Sequence, residues 1–121
     1  MSLEEIQEIC QQFRAVTQDI KWGSALCFSV GSKMFLLTSP DAVPVSASFK
    51  VTAEDFELLT ARPGLRPAPY LARNNWVQVE DISILSKKEW IHYLRQSYEL
   101  VAGRLPAKLK KQLRLDLGGL N

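Results

Sequence analysis

Residues 25–51 read ALCFSVGSKMFLLTSPDAVPVSASFKV, and the fold turns on them. Leu26, Phe28 and Val30 alternate with Ala25, Cys27 and Ser29, the two-residue period of a half-buried strand. Gly31-Ser32 follows as a two-residue turn of a kind hairpins favour. Lys33 to Thr38, KMFLLT, is apolar on both faces, which predicts a central strand at least partly covered on each side. After a loop holding Pro40, Asp41 and Pro44, the residues Val45, Ala47, Phe49 and Val51 alternate with Ser46, Ser48 and Lys50. That pattern gives a third strand with one dry face and one wet face.

On the N-terminal side, Ser2 and Glu5 form a capping-box pattern, and Ile6, Ile9, Phe13 and Val16 recur at helical spacing. A helix is expected to about Thr17, with Trp22-Gly23 breaking the period. On the C-terminal side, Thr52 can cap a short helix through about Thr60 that buries Phe56 and Leu59 and sets Glu54, Asp55 and Glu57 near its positive end. Residues 63–70, PGLRPAPY, read as a stiff connector, because Pro67 and Pro69 push the residues before them toward extended geometry. Residues 74–80, NNWVQVE, read as a fourth strand. Ser86 and Glu89 then open a helix that turns Ile91, Leu94, Tyr98 and Val101 inward and stops at Gly103. Beyond Pro106, Leu109 and Leu113 line a short basic amphipathic helix. The order α-β-β-β-α-β-α-α predicts an α+β fold, an antiparallel sheet with helices packed on one face, and disfavours a doubly wound parallel sheet.

The chain has 121 residues, 46% hydrophobic and 23% charged, which suits one domain over 1–121 with a core of its own. No apolar run approaches the ~20 residues of a membrane span, and no charged-then-apolar signal opens the chain. A cytoplasmic protein with no membrane contact, acting as a monomer, is expected. Cys10, Cys27 and the single His92 are too few and too scattered for a disulfide framework or a zinc site, so neither a metal nor a cofactor is expected. Fifteen Lys and Arg against thirteen Asp and Glu leave a net charge of +2, too small to announce a nucleic-acid binder. Its distribution says more. Residues 1–20 carry Glu4, Glu5, Glu8 and Asp19 against Arg14, whereas 104–114 carry Arg104, Lys108, Lys110, Lys111 and Arg114 with no acid. Arg62, Arg66 and Arg73 form a second basic cluster in an acid-free stretch.

Catalysis needs a nucleophile with its base, a metal, or a phosphate cradle, and the sequence carries none of these signatures. Gly31-Ser32-Lys33 looks like the end of a phosphate loop, but Cys27 stands where the preceding glycine belongs and no helix follows. The chain is read as a non-enzyme. Cys10 is expected in the core and Cys27 on the wetter face of its strand, while His92 is expected to be solvated. Strand alternation places Leu26, Phe28, Val30, Val45, Ala47, Phe49, Val77 and Val79 on one side of the sheet and Ala25, Cys27, Ser29, Ser46, Ser48, Lys50, Asn74, Trp76 and Gln78 on the other. Trp76 would then project among hydroxyls, amides and Lys50, able to stack a ring while Lys or Arg holds an anion. The alternative is that Trp76 packs beneath the proline-rich loop or the C-terminal helix. Likewise Lys108, Lys110 and Lys111 either grip phosphates or form a solvated helix face.

The string PGLRPAPYLARNNWVQVE over 63–80, the hairpin GSKMFLL and the later RQSYELVAGRLPAKLKKQL resemble the MmcQ/YjbR family. The features that carry the resemblance are Gly31 with Lys33, Met34 and Phe35; Pro67 to Tyr70; Trp76; and Ser97 to Val101. Residues 21–23, KWG, depart from the more acidic-aromatic stretch of many members. The resemblance covers nearly the whole chain and implies a CyaY-like, frataxin-like double wing. It implies DNA binding as the function and supplies no catalytic residues. A frataxin-like iron role would need clustered carboxylates, and Glu4, Glu5 and Glu8 are explained by a helix start.

Two functions are therefore weighed. The first is a non-enzymatic module binding an anionic ligand, DNA foremost, with Arg62, Arg66, Arg73, Lys50, Lys108, Lys110 and Lys111 on phosphates and Trp76, with Trp22, stacked on bases. The second uses the open sheet face for a protein or small-molecule partner, again without catalysis.

Overall fold

A computed structural model describes residues 1–115 of the chain; residues 116–121 of the expected 1–121 domain lie outside the described residues. In chain order the elements are α1 (Leu3–Gln11), β1 (Val16–Lys21), β2 (Ala25–Val30), β3 (Lys33–Ser39), β4 (Ser46–Lys50), α2 (Ala53–Thr60), β5 (Leu65–Pro67), β6 (Trp76–Val79), α3 (Lys87–Gly103) and α4 (Ala107–Gln112), with short 3-10 turns at Ala72–Asn74 and Ile82–Ile84. The strands form one antiparallel sheet in the order β1-β2-β3-β4-β6-β5. The α+β antiparallel arrangement expected from the sequence is present, with two strands more than expected. Among the described residues no helix is long and apolar enough to cross a membrane.

Both extra strands are edges. The first helix ends at Gln11, not near Thr17, because Ala15 takes a left-handed φ of 61° and redirects the chain. Val16, which continued the helical spacing, opens β1 instead, paired from Val16↔Val30 to Lys21↔Ala25. Thr17, Gln18, Asp19 and Ile20 are all exposed on this edge, so no apolar alternation marks the strand. The connector expected at 63–70 contains β5, which pairs Leu65↔Val79 through Pro67↔Val77 on the opposite edge. An edge strand tolerates proline because its missing N–H faces away from the ladder.

The predicted strand faces match the register. Phe28, Leu36, Phe49 and Val77 form one cross-strand row, and all four are fully buried. Over this face lies α3, held at its start by the predicted capping box, in which Ser86 Oγ accepts from Glu89 N–H and Glu89 Oε1 accepts from Ser86 N–H. Its inward stripe is Trp90, Leu94, Tyr98 and Val101. Ile91 is 45% exposed, a correction to the expected stripe; Trp90 lies about 100° away on the helix wheel and takes the core side. The Trp90 indole donates to Ile82 O at 2.7 Å, so this large side chain is buried without an unpaired N–H. α1 packs against α3, and α2 against β5 and β6.

The opposite face carries the row Cys27, Leu37, Ser48, Gln78 and Arg66. Cys27 faces this side as expected but is completely buried rather than wet, and burial raises its thiol pKa. A short side chain in the middle of a sheet is covered by taller neighbours whichever face it occupies.

Candidate anion-binding cavity

The β3–β4 ladder stops at Leu36↔Phe49. Beyond that rung α3 intervenes. Ser97, fully buried, donates to Phe35 O at 2.5 Å and accepts the Lys50 N–H at 2.9 Å. One hydroxyl satisfies the two backbone groups that the next rung would have paired, so the strands can part there with neither group left orphaned. On its other side β4 stays paired with β6, through Lys50↔Trp76 and then Val51 N–H to Asn75 O at 3.0 Å.

At this parting lies a cavity of about 400 Å³. Lys33 comes from the start of β3, Lys50 from the end of β4, Asn74 and Trp76 from the approach to β6, and Arg104 and Leu105 from the end of α3. The Gly31-Ser32 turn sets where β3 begins, with left-handed φ values of 57° and 65°, the geometry of the expected hairpin turn. Gly31 also gives Leu105 its place: a Cβ at position 31 would sit 2.6 Å from a Leu105 methyl.

The cavity is positively charged. Lys50 is half-buried, and its Nζ donates to Asn74 O at 2.8 Å. Burial, and secondly the charge of Arg104, lower the pKa of that ammonium. Among the described residues the only ion pair joins Arg62 to Glu89, so Lys33, Lys50 and Arg104 have no carboxylate partner there.

Trp76 corrects the central expectation. It lies on the predicted side of the sheet, outside the main apolar cluster, yet is only 5% exposed. So little of the ring reaches solvent that it does not stand clear to receive a base. Its indole N–H nevertheless differs from that of Trp90. It has no acceptor among the described residues and is not sealed from solvent.

The other expected contacts scatter. Arg62 Nη1 is bound to Glu89 Oε2 at 2.6 Å, which raises the arginine pKa and, with the Ser86 backbone N–H as a lesser cause, lowers that of the carboxylate. Arg66 Nε donates to Gln78 Oε1 at 2.7 Å. Arg73 is exposed, one residue before Asn74. Lys110 Nζ donates to Gly103 O at 2.9 Å, tying it to the negative end of α3, while Lys108 and Lys111 stay exposed. Of the expected set, the cavity gathers Lys50 and Trp76. Lys33 and Arg104 lie outside the expected set: one reads as the first residue of a strand, the other as one charge in a basic run, and nothing local says that they converge. His92 is exposed, and Cys10 is buried in the core with its thiol pushed up to about 12 by desolvation.

These features define a class: a small α+β domain in which a six-stranded antiparallel sheet opens at one end onto a cationic cavity lined in part by the end of α3 and the residues that follow it. A family model described as YjbR matches residues 11–100, and the chain belongs to that family. The resemblance read from the hairpin and from residues 63–80 is thereby borne out. The crystal structure of the Deinococcus radiodurans protein DR2400, a DUF419 domain, is similar at 25% identity and a TM-score of 0.85, over 95% of this chain and 89% of that one. A Pseudomonas syringae protein shares the fold alone, at 19% identity and a TM-score of 0.68, over 84% and 99% of the two chains. No curated protein matches the chain.

Proposed function

We propose that the protein is a non-enzymatic binding module for an anionic ligand, with DNA the leading ligand. The observation that carries this reading is the convergence of Lys33, Lys50 and Arg104 on one cavity with no carboxylate to neutralise them among the described residues. Like charges held together cost free energy, and a bound anion offsets that cost. Arg73, Lys108 and Lys111, outside the cavity lining, add exposed positive charge to the domain. The rings free to stack on a base are Trp22, 74% exposed, and Tyr70, wholly exposed, in place of Trp76. Arg62 and Arg66 are already engaged within the fold and contribute little.

Retention on DNA should be strong at low salt and weak at physiological salt, since each phosphate neutralised adds about 0.9 to the slope of log affinity against log salt. Lys50→Ala with Arg104→Ala should lower that slope by about two. A slope that neither this pair nor a Lys108/Lys110/Lys111 triple alanine alters, or no retention even at low salt, removes the reading.

The size of the cavity favours a second reading. At about 400 Å³ it lies within the range of small-molecule sites, roughly 300–1,000 Å³. A discrete anionic metabolite would raise the melting temperature where an oligonucleotide at equal site concentration does not.

A further inference from the structure

Resting on the binding reading above, we infer that the cavity is a receptor for a terminal phosphate, the doubly charged end of a nucleotide or a strand, rather than for a phosphodiester inside a strand. Among its lining residues is Trp76, a side chain only 5% exposed whose indole N–H has no acceptor among the described residues and is not sealed from solvent. A group that enters the cavity lies against this ring. A phosphodiester carries a sugar on each of two oxygens, and both sugars would have to be accommodated beside the covered ring. A terminal phosphate carries one substituent, so it can point its three free oxygens inward while the rest of the ligand stays outside.

Charge agrees with shape. A phosphate monoester bears about −1.5 to −2 at pH 7, against −1 for a diester. Lys33, Lys50 and Arg104 reach the cavity from three different parts of the chain, the start of β3, the end of β4 and the end of α3, so three positive charges share one concave space. Lys50 spends one of its three donors on Asn74 O and keeps two. Arg104 supplies a planar fork suited to two oxygens of one phosphate. The indole N–H, the ammonium and the guanidinium together match the acceptors of a tetrahedral oxyanion.

The test is calorimetric titration with one unlabelled single-stranded oligonucleotide in three forms, bearing a 5′-phosphate, a 3′-phosphate or neither, alongside a nucleoside monophosphate and its nucleoside. At least one phosphorylated strand should bind about tenfold tighter than the unphosphorylated strand. Trp76→Phe, which keeps a ring and removes the N–H, should bring that ratio within twofold. Arg104→Gln, at an exposed position, should do the same without touching the interior, which keeps the test decisive even where the Trp76 variant folds poorly. Equal affinity for all three strands, still dependent on Lys50 and Arg104, overturns the terminal-phosphate site and leaves the anion-binding module standing. Preference for the monophosphate over its nucleoside with no strand bound supports the site, assigns it to a small molecule, and overturns DNA as ligand. Binding of no probe at low salt overturns both.

Discussion

Arg62 and Lys50 carry the same charge on the same fold and have opposite circumstances. Arg62 meets Glu89, whose other oxygen closes the capping box at the start of α3, so one carboxylate serves a helix end and a salt bridge together. Lys50 has a backbone carbonyl for one donor, a cationic neighbour in Arg104, and no acid among the described residues. The first region is electrically complete. The second is not, and the proposed anion site rests on that difference. A cation read from sequence is available for binding only if folding has not already given it a partner.

The contrast can be broken most directly by moving the acid. Arg104→Glu would give the cavity the internal counter-charge that Arg62 already has, and affinity for a phosphorylated oligonucleotide should fall by about a hundredfold, or about 2.7 kcal/mol. Arg62→Ala, measured the same way, should change it less than twofold.

Ser97→Ala addresses how the cavity is opened. It leaves Phe35 O and the Lys50 N–H without their shared partner, and an unpaired buried polar group costs about 1–3 kcal/mol. Urea denaturation should show a loss in that range, with weaker anion binding as Lys50 shifts. A stability equal to wild type would mean that the strands part for some other reason. Gly31→Ala should cost about 1–2 kcal/mol, the ordinary penalty for a side chain in left-handed backbone. Because Leu105 must also move, it should weaken anion binding more than it weakens folding.

The smallest effect belongs to the completed region. The Glu89 carboxyl has its pKa lowered by Arg62, so in the native state it holds its proton less readily than in the unfolded chain. Its contribution to stability is present above its ordinary pKa of 4.5 and is lost as pH falls through the lowered value. Both partners are more or less a third exposed, so that contribution is under about 1 kcal/mol. Glu89→Gln should flatten the acid limb of the stability curve by no more than this, and an unchanged acid limb would show that the pair is idle in solution.

Local chemistry made much of the fold legible. Ser2 and Ser86 cap the helices they were expected to cap, Thr52 caps α2 by accepting the Asp55 N–H, and the Gly31-Ser32 turn joins β2 to β3. The β2–β4 alternation gives the correct faces because one face of each strand is buried and side chains point to alternate sides. β1 and β5 were missed for the same reason in reverse. Thr17 to Ile20 are exposed and Pro67 sits on an edge, so neither strand needs the apolar pattern that betrays a strand. The site was half legible. Lys50 and Trp76 stand out on the sheet face, but the depth of Trp76 and the convergence of Lys33 and Arg104 on the same cavity depend on how the elements pack.

The amino-acid sequence alone determined the helix starts, the hairpin, the faces of the principal strands and the family, because each rests on interactions within a few residues or on a motif read in order. Tertiary structure alone decided which cations remain unpaired and which ring is covered. Arg62 is separated from Glu89 by 27 residues and Ser97 from Phe35 by 62, and contacts over such distances follow from packing, on which no local preference bears.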